Sequence, residues 1–97
     1  MAVIEIAAFS LLEGADVDAF LAADRAMQTE FIPNRQGFAR RTTARNDRGG
    51  WAVITLWWSD EDADATAAAA ESDPVVAGFR SFIDPQTFRT NRFTTLD

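Results

Sequence analysis

The chain has 97 residues, 47% of them hydrophobic and 25% charged, with a net charge of -6 and neither histidine nor cysteine. That length and balance predict one globular domain over residues 1–97 with one core, and they exclude disorder or a second domain. All nine basic residues are arginine, and so acidic a chain repels polyanions on average, which excludes nucleic acid and an anionic membrane surface as partners.

The absent residue types narrow the chemistry further. Without cysteine there is no thiolate nucleophile and no thiolate zinc site. Without histidine the chain loses the commonest general base near neutral pH, the commonest metal ligand and the usual proximal haem ligand. No phosphate loop, nucleotide fingerprint or nucleophile elbow is present in the sequence. Neither a metal nor a cofactor is therefore expected.

Residues 3–12 are rich in Val, Ile, Phe and Leu and stop at Glu13-Gly14, which reads as a strand and a turn. Glu5 and Ser10 break this apolar run, and residues 1–12 carry no basic leader or cleavage site, so the expected location is cytoplasmic. Asp16 reads as an N-cap for a helix whose inner face takes Val17, Phe20, Leu21, Asp24, Met27, Gln28 and Phe31 at spacings of three and four. Pro33 and Gly37 end it. A second strand over 38–45, hairpin punctuation over 46–50 and a return strand over 51–58 follow.

Ser59 then caps a helix whose first turn holds Asp60, Glu61 and Asp62, where the helix dipole favours carboxylates. Carboxylates there fan outward in different directions, so capping explains them better than a metal site does. Residues 63–70 are strong helix formers, Pro74 interrupts, and residues 75–83 form a second piece of the same crossover. The threonine-rich segment 87–96 is the last strand.

The predicted fold class is therefore α+β, a ferredoxin-like βαββαβ unit with a four-stranded antiparallel sheet in the order 4-1-3-2 and both helices on one face. Such a strand should be apolar on one side only. The first strand instead has Val3, Ala7, Phe9 and Leu11 on one side and Ala2, Ile4, Ile6, Ala8 and Leu12 on the other, and the third repeats this with Trp51, Val53 and Trp57 against Ala52, Ile54, Leu56 and Trp58. The expected partner is a second copy, covering the bare face about a two-fold axis.

The segments Val3-Ile4-Glu5-Ile6 leading to Phe9, Gly14-Ala15-Asp16 turning into Phe20-Leu21, Gly37-Phe38, Leu56-Trp57-Trp58-Ser59 and Phe82-Ile83-Asp84 span most of the chain. In this pattern the sequence resembles the dimeric α/β barrel proteins, close to the antibiotic-biosynthesis monooxygenase-like group. The resemblance implies two sheets closing face to face into a dimeric α/β barrel, with a ligand cavity in each protomer between sheet and helices. The group includes cofactor-independent oxygenases, haem-degrading enzymes and other small-molecule enzymes, so it constrains architecture more than activity.

Within that frame Trp57 matches the tryptophan that oxygenase-like members carry at the end of the third strand, beside the cavity. The histidine that active relatives place in the following helix is replaced by the neighbourhood of Asp64, Ala65 and Thr66, and the asparagine of some oxygenases has no counterpart between Val3 and Leu12. Glu5 has two readings: an ion pair with Arg89 or Arg92 on the adjacent last strand, or a cavity base whose pKa burial raises. Glu5 and Trp57 are the catalytic candidates, and Phe9, Phe20, Asp24, Met27, Arg40 and Arg92 the substrate-binding ones. Arg40 and Arg41 point to opposite faces, so at most one reaches the cavity. Two functions stay open, a cofactor-independent monooxygenase for an aromatic or polyketide-like ligand and a non-catalytic dimerisation or ligand-holding module. An enzyme should converge at least two of Glu5, Arg40, Arg41, Asn91 and Arg92 on one enclosed space.

Overall fold

The computed structural model describes residues 1–96. The elements run β1 (Val3–Ser10), α1 (Val17–Ala26), β2 (Phe38–Arg45), β3 (Gly50–Trp57), α2 (Asp60–Ala70), α3 (Pro74–Arg80) and β4 (Arg89–Thr94). All strand pairs are antiparallel, in the spatial order β2-β3-β1-β4, which is the expected 4-1-3-2 sheet read from its other edge. No helix among the described residues is long and apolar enough to cross a membrane.

Each helix begins where a side chain satisfies its free N–H groups. Asp16 accepts from the Ala19 N–H at 3.2 Å, and Ser59 Oγ accepts from the Asp62 N–H at 3.1 Å. Asp73 accepts from the Val75 and Val76 N–H groups, with Pro74 in the first turn where no donor is needed. The alanine-rich helix thus starts at Asp60, directly after the expected Ser59 cap, and the piece after Pro74 is a helix of its own, because Asp73 offers a second cap. The last strand starts at Arg89, since the Thr87 hydroxyl accepts from the Ser10 N–H at 2.8 Å and ties the preceding turn to β1.

Two local departures shape the interior. The first helix does not run regularly to Phe31: after Ala26 it widens into a π-helical turn, Met27–Phe31, where the Ile32 N–H reaches back five residues to the Met27 carbonyl. A short 3-10 turn, Ile32–Asn34, holds Pro33 and closes the segment. The wider turn brings Met27, Phe31 and Ile32 to the buried side together. The second departure is a bulge in β2: Phe38 pairs with Trp57, yet Arg40 pairs with Leu56 and Arg41 with Thr55. One extra residue shifts every later side chain to the opposite face.

The helices cover one face of the sheet. On β3 the residues Trp51, Val53, Thr55 and Trp57 are buried, while Ala52, Ile54 and Leu56 between them are half-buried on the uncovered face. Phe20 is fully buried at the centre, with ring centroids 5.0 Å from Trp51 and 5.3 Å from Phe79. The uncovered face carries Ile4, Ile6, Ile54 and Leu56, with Trp58 and Phe93 exposed beside them.

Candidate functional site

Between the covered face and the helices lies a cavity of about 300 Å³. Glu5, Ala7 and Phe9 from β1, Arg41 from β2, and Val53, Thr55 and Trp57 from β3 form its floor. The π-helical segment closes one side with Met27, Phe31 and Ile32, and α3 adds Val76, Phe79 and Arg80. Its roof is α2, which presents only Ala63, Thr66, Ala67 and Ala70. These positions are three and four apart on one helical face, so the alanine run explains both the strong helix and the room beneath it.

The placement of α2 depends on Gly37. This residue has φ +77°, the left-handed region that glycine enters without penalty, and a Cβ there would collide with the Asp62 side chain. Asp62 in turn accepts from Ser59 Oγ at 2.9 Å while its own N–H is capped by that oxygen. The start of β2 and the first turn of α2 are thereby packed face to face.

Two charged networks flank the cavity. In the first, Arg41 is buried on the wall; its Nη2 donates to Asp24 Oδ1 at 2.8 Å, and its Nη1 donates to Gln28 Oε1 at 3.2 Å and Thr43 Oγ1 at 3.3 Å. The Thr43 hydroxyl also donates to Asp24 Oδ1 at 2.9 Å. Burial of a guanidinium is tolerable only with this degree of pairing. In the second, Arg92 donates to Glu5 Oε2 at 3.1 Å, Asp64 Oδ1 at 2.8 Å and Asp60 Oδ1 at 3.2 Å. Those acceptors, Asp64 first and Glu5 next, raise the Arg92 pKa above its ordinary value, which leaves an already permanent cation more firmly charged.

Two buried side-chain polar atoms among the described residues have no partner, Arg35 Nε and Trp57 Nε1, and only Trp57 belongs to the cavity lining. The Trp57 indole Nε1 is buried without a hydrogen-bond partner, on a residue that is 2% exposed and lines the cavity. An unpaired buried donor costs roughly 1–3 kcal/mol.

Of the residues singled out from sequence, Glu5, Phe9, Met27 and Trp57 line the cavity together. Phe20 lies behind the wall in the aromatic core, and Asp24 reaches the cavity only through Arg41. Arg92 stands outside, holding Glu5. Arg40 is exposed on the opposite face, across from Leu56; the bulge has exchanged it for Arg41, which sits across from Thr55. Glu5 and Arg41 are thus the two members of the proposed polar set that border one space. Sequence reasoning missed Arg80 and the small roof of α2, although the Ala63, Ala67 and Ala70 spacing was visible in the alanine run. Among the described residues no group of three or more carboxylates has a metal-holding arrangement.

No family model matches the sequence, and no curated protein does. Solved structures do match. SnoaB, a cofactor-independent oxygenase from Streptomyces nogalater, superposes with a TM-score of 0.81 at 17% identity over 99% of this chain and 94% of its own. A protein described as an antibiotic biosynthesis monooxygenase gives 0.76 at 14% identity over 98% and 99% of the two chains, and a conserved protein from Methanosarcina mazei gives 0.79 at 10% over 96% and 91%. The chain therefore has the ferredoxin-like fold of the antibiotic biosynthesis monooxygenase-like proteins.

Proposed function

We propose that the protein binds a flat aromatic molecule in the cavity and oxidises it with molecular oxygen without a cofactor, working as a homodimer. The observation that carries this reading is the largely apolar cavity between sheet and helices, lined by Trp57 and by a single carboxylate, Glu5. An aromatic ligand would stack against the apolar walls, the Trp57 indole among them. The Thr55 and Thr66 hydroxyls and Glu5 border the same space and would orient its remaining polar groups.

The reaction needs little from the protein. Glu5 would take a proton from an acidic methylene of the ring system, and the resulting carbanion would pass one electron to oxygen. Collapse of the radical pair forms a C–O bond, Glu5 returns its proton to the peroxide, and loss of water from the hydroperoxide turns the methylene into a carbonyl: one oxygen atom stays in the product, the other leaves as water. Orientation and exclusion of bulk water are the protein's contribution. The fold shared with SnoaB, itself a cofactor-independent oxygenase, supports the choice of reaction. The dimer is supported by the uncovered face, where Trp58 is 63% and Phe93 54% exposed beside Ile4, Ile6, Ile54 and Leu56.

Oxygen uptake with a panel of anthrones and hydroquinones tests the reading. Wild-type turnover is expected with at least one, with kcat/KM reduced about tenfold or more in Trp57→Phe and Glu5→Gln. No uptake with any member, or unchanged rates in both variants, would overturn it.

A further inference from the structure

One polar row crosses the whole sheet at the cavity floor. In register from one edge to the other stand Arg92 on β4, Glu5 on β1, Thr55 on β3 and Arg41 on β2. On the same face the two central strands are apolar on either side of this row, with Val3 and Trp57 before it and Ala7 and Val53 after it. Glu5 is thus the one carboxylate on the floor, and it has a neighbouring strand on each side.

Only one of those strands holds it. Among the described residues the Glu5 carboxylate has a single hydrogen-bond partner, the Arg92 guanidinium, whose Nη2 donates to Oε2 at 3.1 Å. Arg41, at the far end of the row, is turned toward Asp24, Gln28 and Thr43 instead. A glutamate side chain turns about several bonds, so a carboxylate that is to meet one C–H of a ligand has to be held. Arg92 is itself held from its other end, where Nη1 donates to Asp64 and Asp60 at the start of α2. It stands outside the cavity, so whatever it does for a ligand it does through Glu5. Stability alone gives this contact little value, since the Arg92 and Glu5 side chains are 31% and 33% exposed.

Resting on the reading of Glu5 as the base, we propose that Arg92 is a positioning residue for the reaction, anchoring Glu5 Oε2 so that Oε1 takes the proton. The contact serves both proton transfers. With the proton on Oε1, Oε2 remains an acceptor for the Arg92 N–H, and the carboxyl group returns the proton to the peroxide from the place where it received it. Asp64 and Asp60 keep the guanidinium paired while Glu5 is neutral.

Steady-state oxygen uptake with anthrone, which carries an acidic methylene, tests this. Arg92→Met should lower kcat about tenfold and leave KM within about twofold, because Arg92 touches the base and not the ligand. Arg92→Lys keeps a donor for Oε2 and should recover part of the loss. In a Glu5→Gln background Arg92→Met should cost nothing further, as expected of two residues that act as one unit. Asp60→Asn with Asp64→Asn loosens α2 but keeps the Arg92–Glu5 contact, and should lower kcat no more than about threefold. An unchanged kcat in Arg92→Met, a loss confined to KM, a further loss in the Glu5→Gln background, or an equal loss in the paired aspartate variant would overturn the positioning role and leave Glu5 as the base. No uptake by wild type, or a Glu5→Gln rate equal to wild type, would overturn both.

Discussion

The two halves of the helical layer are built on different principles. On one side α1 and α3 bury large rings: Phe20 contacts Phe9, Trp51, Phe79 and Phe82 at centroid distances between 5.0 and 6.0 Å. On the other, α2 buries only Ala63, Thr66 and Ala70, which remove little apolar surface from water. That helix stands on intrinsic propensity, the Ser59 cap and the charges gathered on Arg92. A packed half thus fixes the geometry of the cavity wall, and a lightly packed half leaves room under the roof.

If that contrast is right, truncation on the packed side should be severe. Phe20→Ala removes a fully buried ring and should cost about 3–5 kcal/mol, read as a fall in denaturant midpoint with an unchanged slope. A loss below about 1 kcal/mol would mean that the four neighbouring rings close the gap, and the packed half would not be the rigid one.

The next effect should come from the polar clip between α1 and β2. Arg41→Met keeps the volume of the side chain but strips Asp24 of its cation; the two side chains are 2% and 16% exposed. Breaking a buried pair from one side usually costs more than the pair contributes, and with Asp24 partly wetted about 2–3 kcal/mol is expected. Chemical denaturation measures it, and Asp24→Asn in the same background should recover part of the loss. Additive losses in the double variant would show that the two residues act independently.

The same contrast explains what could be read from the sequence. Elements set by periodic burial or by a cap were legible: α1 starts after Asp16, and β1 and β3 fall within two residues of the expected 3–12 and 51–58. The topology put β4 beside β1, which made Arg92 a foreseeable partner for Glu5, and the register pairs the two directly. Legibility ended where a single residue is inserted. Neither the π-helical turn at Met27–Phe31 nor the bulge beyond Phe38 leaves a pattern in residue type, because each is settled by tertiary contacts. The bulge alone decides whether Arg40 or Arg41 meets the cavity.

The smallest effect should be at Arg92, and it tests the lightly packed half most directly. Its side chain is 31% exposed and its partners Asp60 and Asp64 are 59% and 70% exposed, so solvent screens each pair and Arg92→Met should cost under about 1 kcal/mol overall. Locally the outcome should differ, because this guanidinium joins α2 to β1 and β4 while few apolar contacts support the helix. Amide exchange in α2 should accelerate severalfold in Arg92→Met with α1 unaffected, and raising the salt concentration should do the same to wild type. Equal acceleration in both helices would mean that the layer opens as one unit, with Arg92 supporting the whole fold rather than the roof alone.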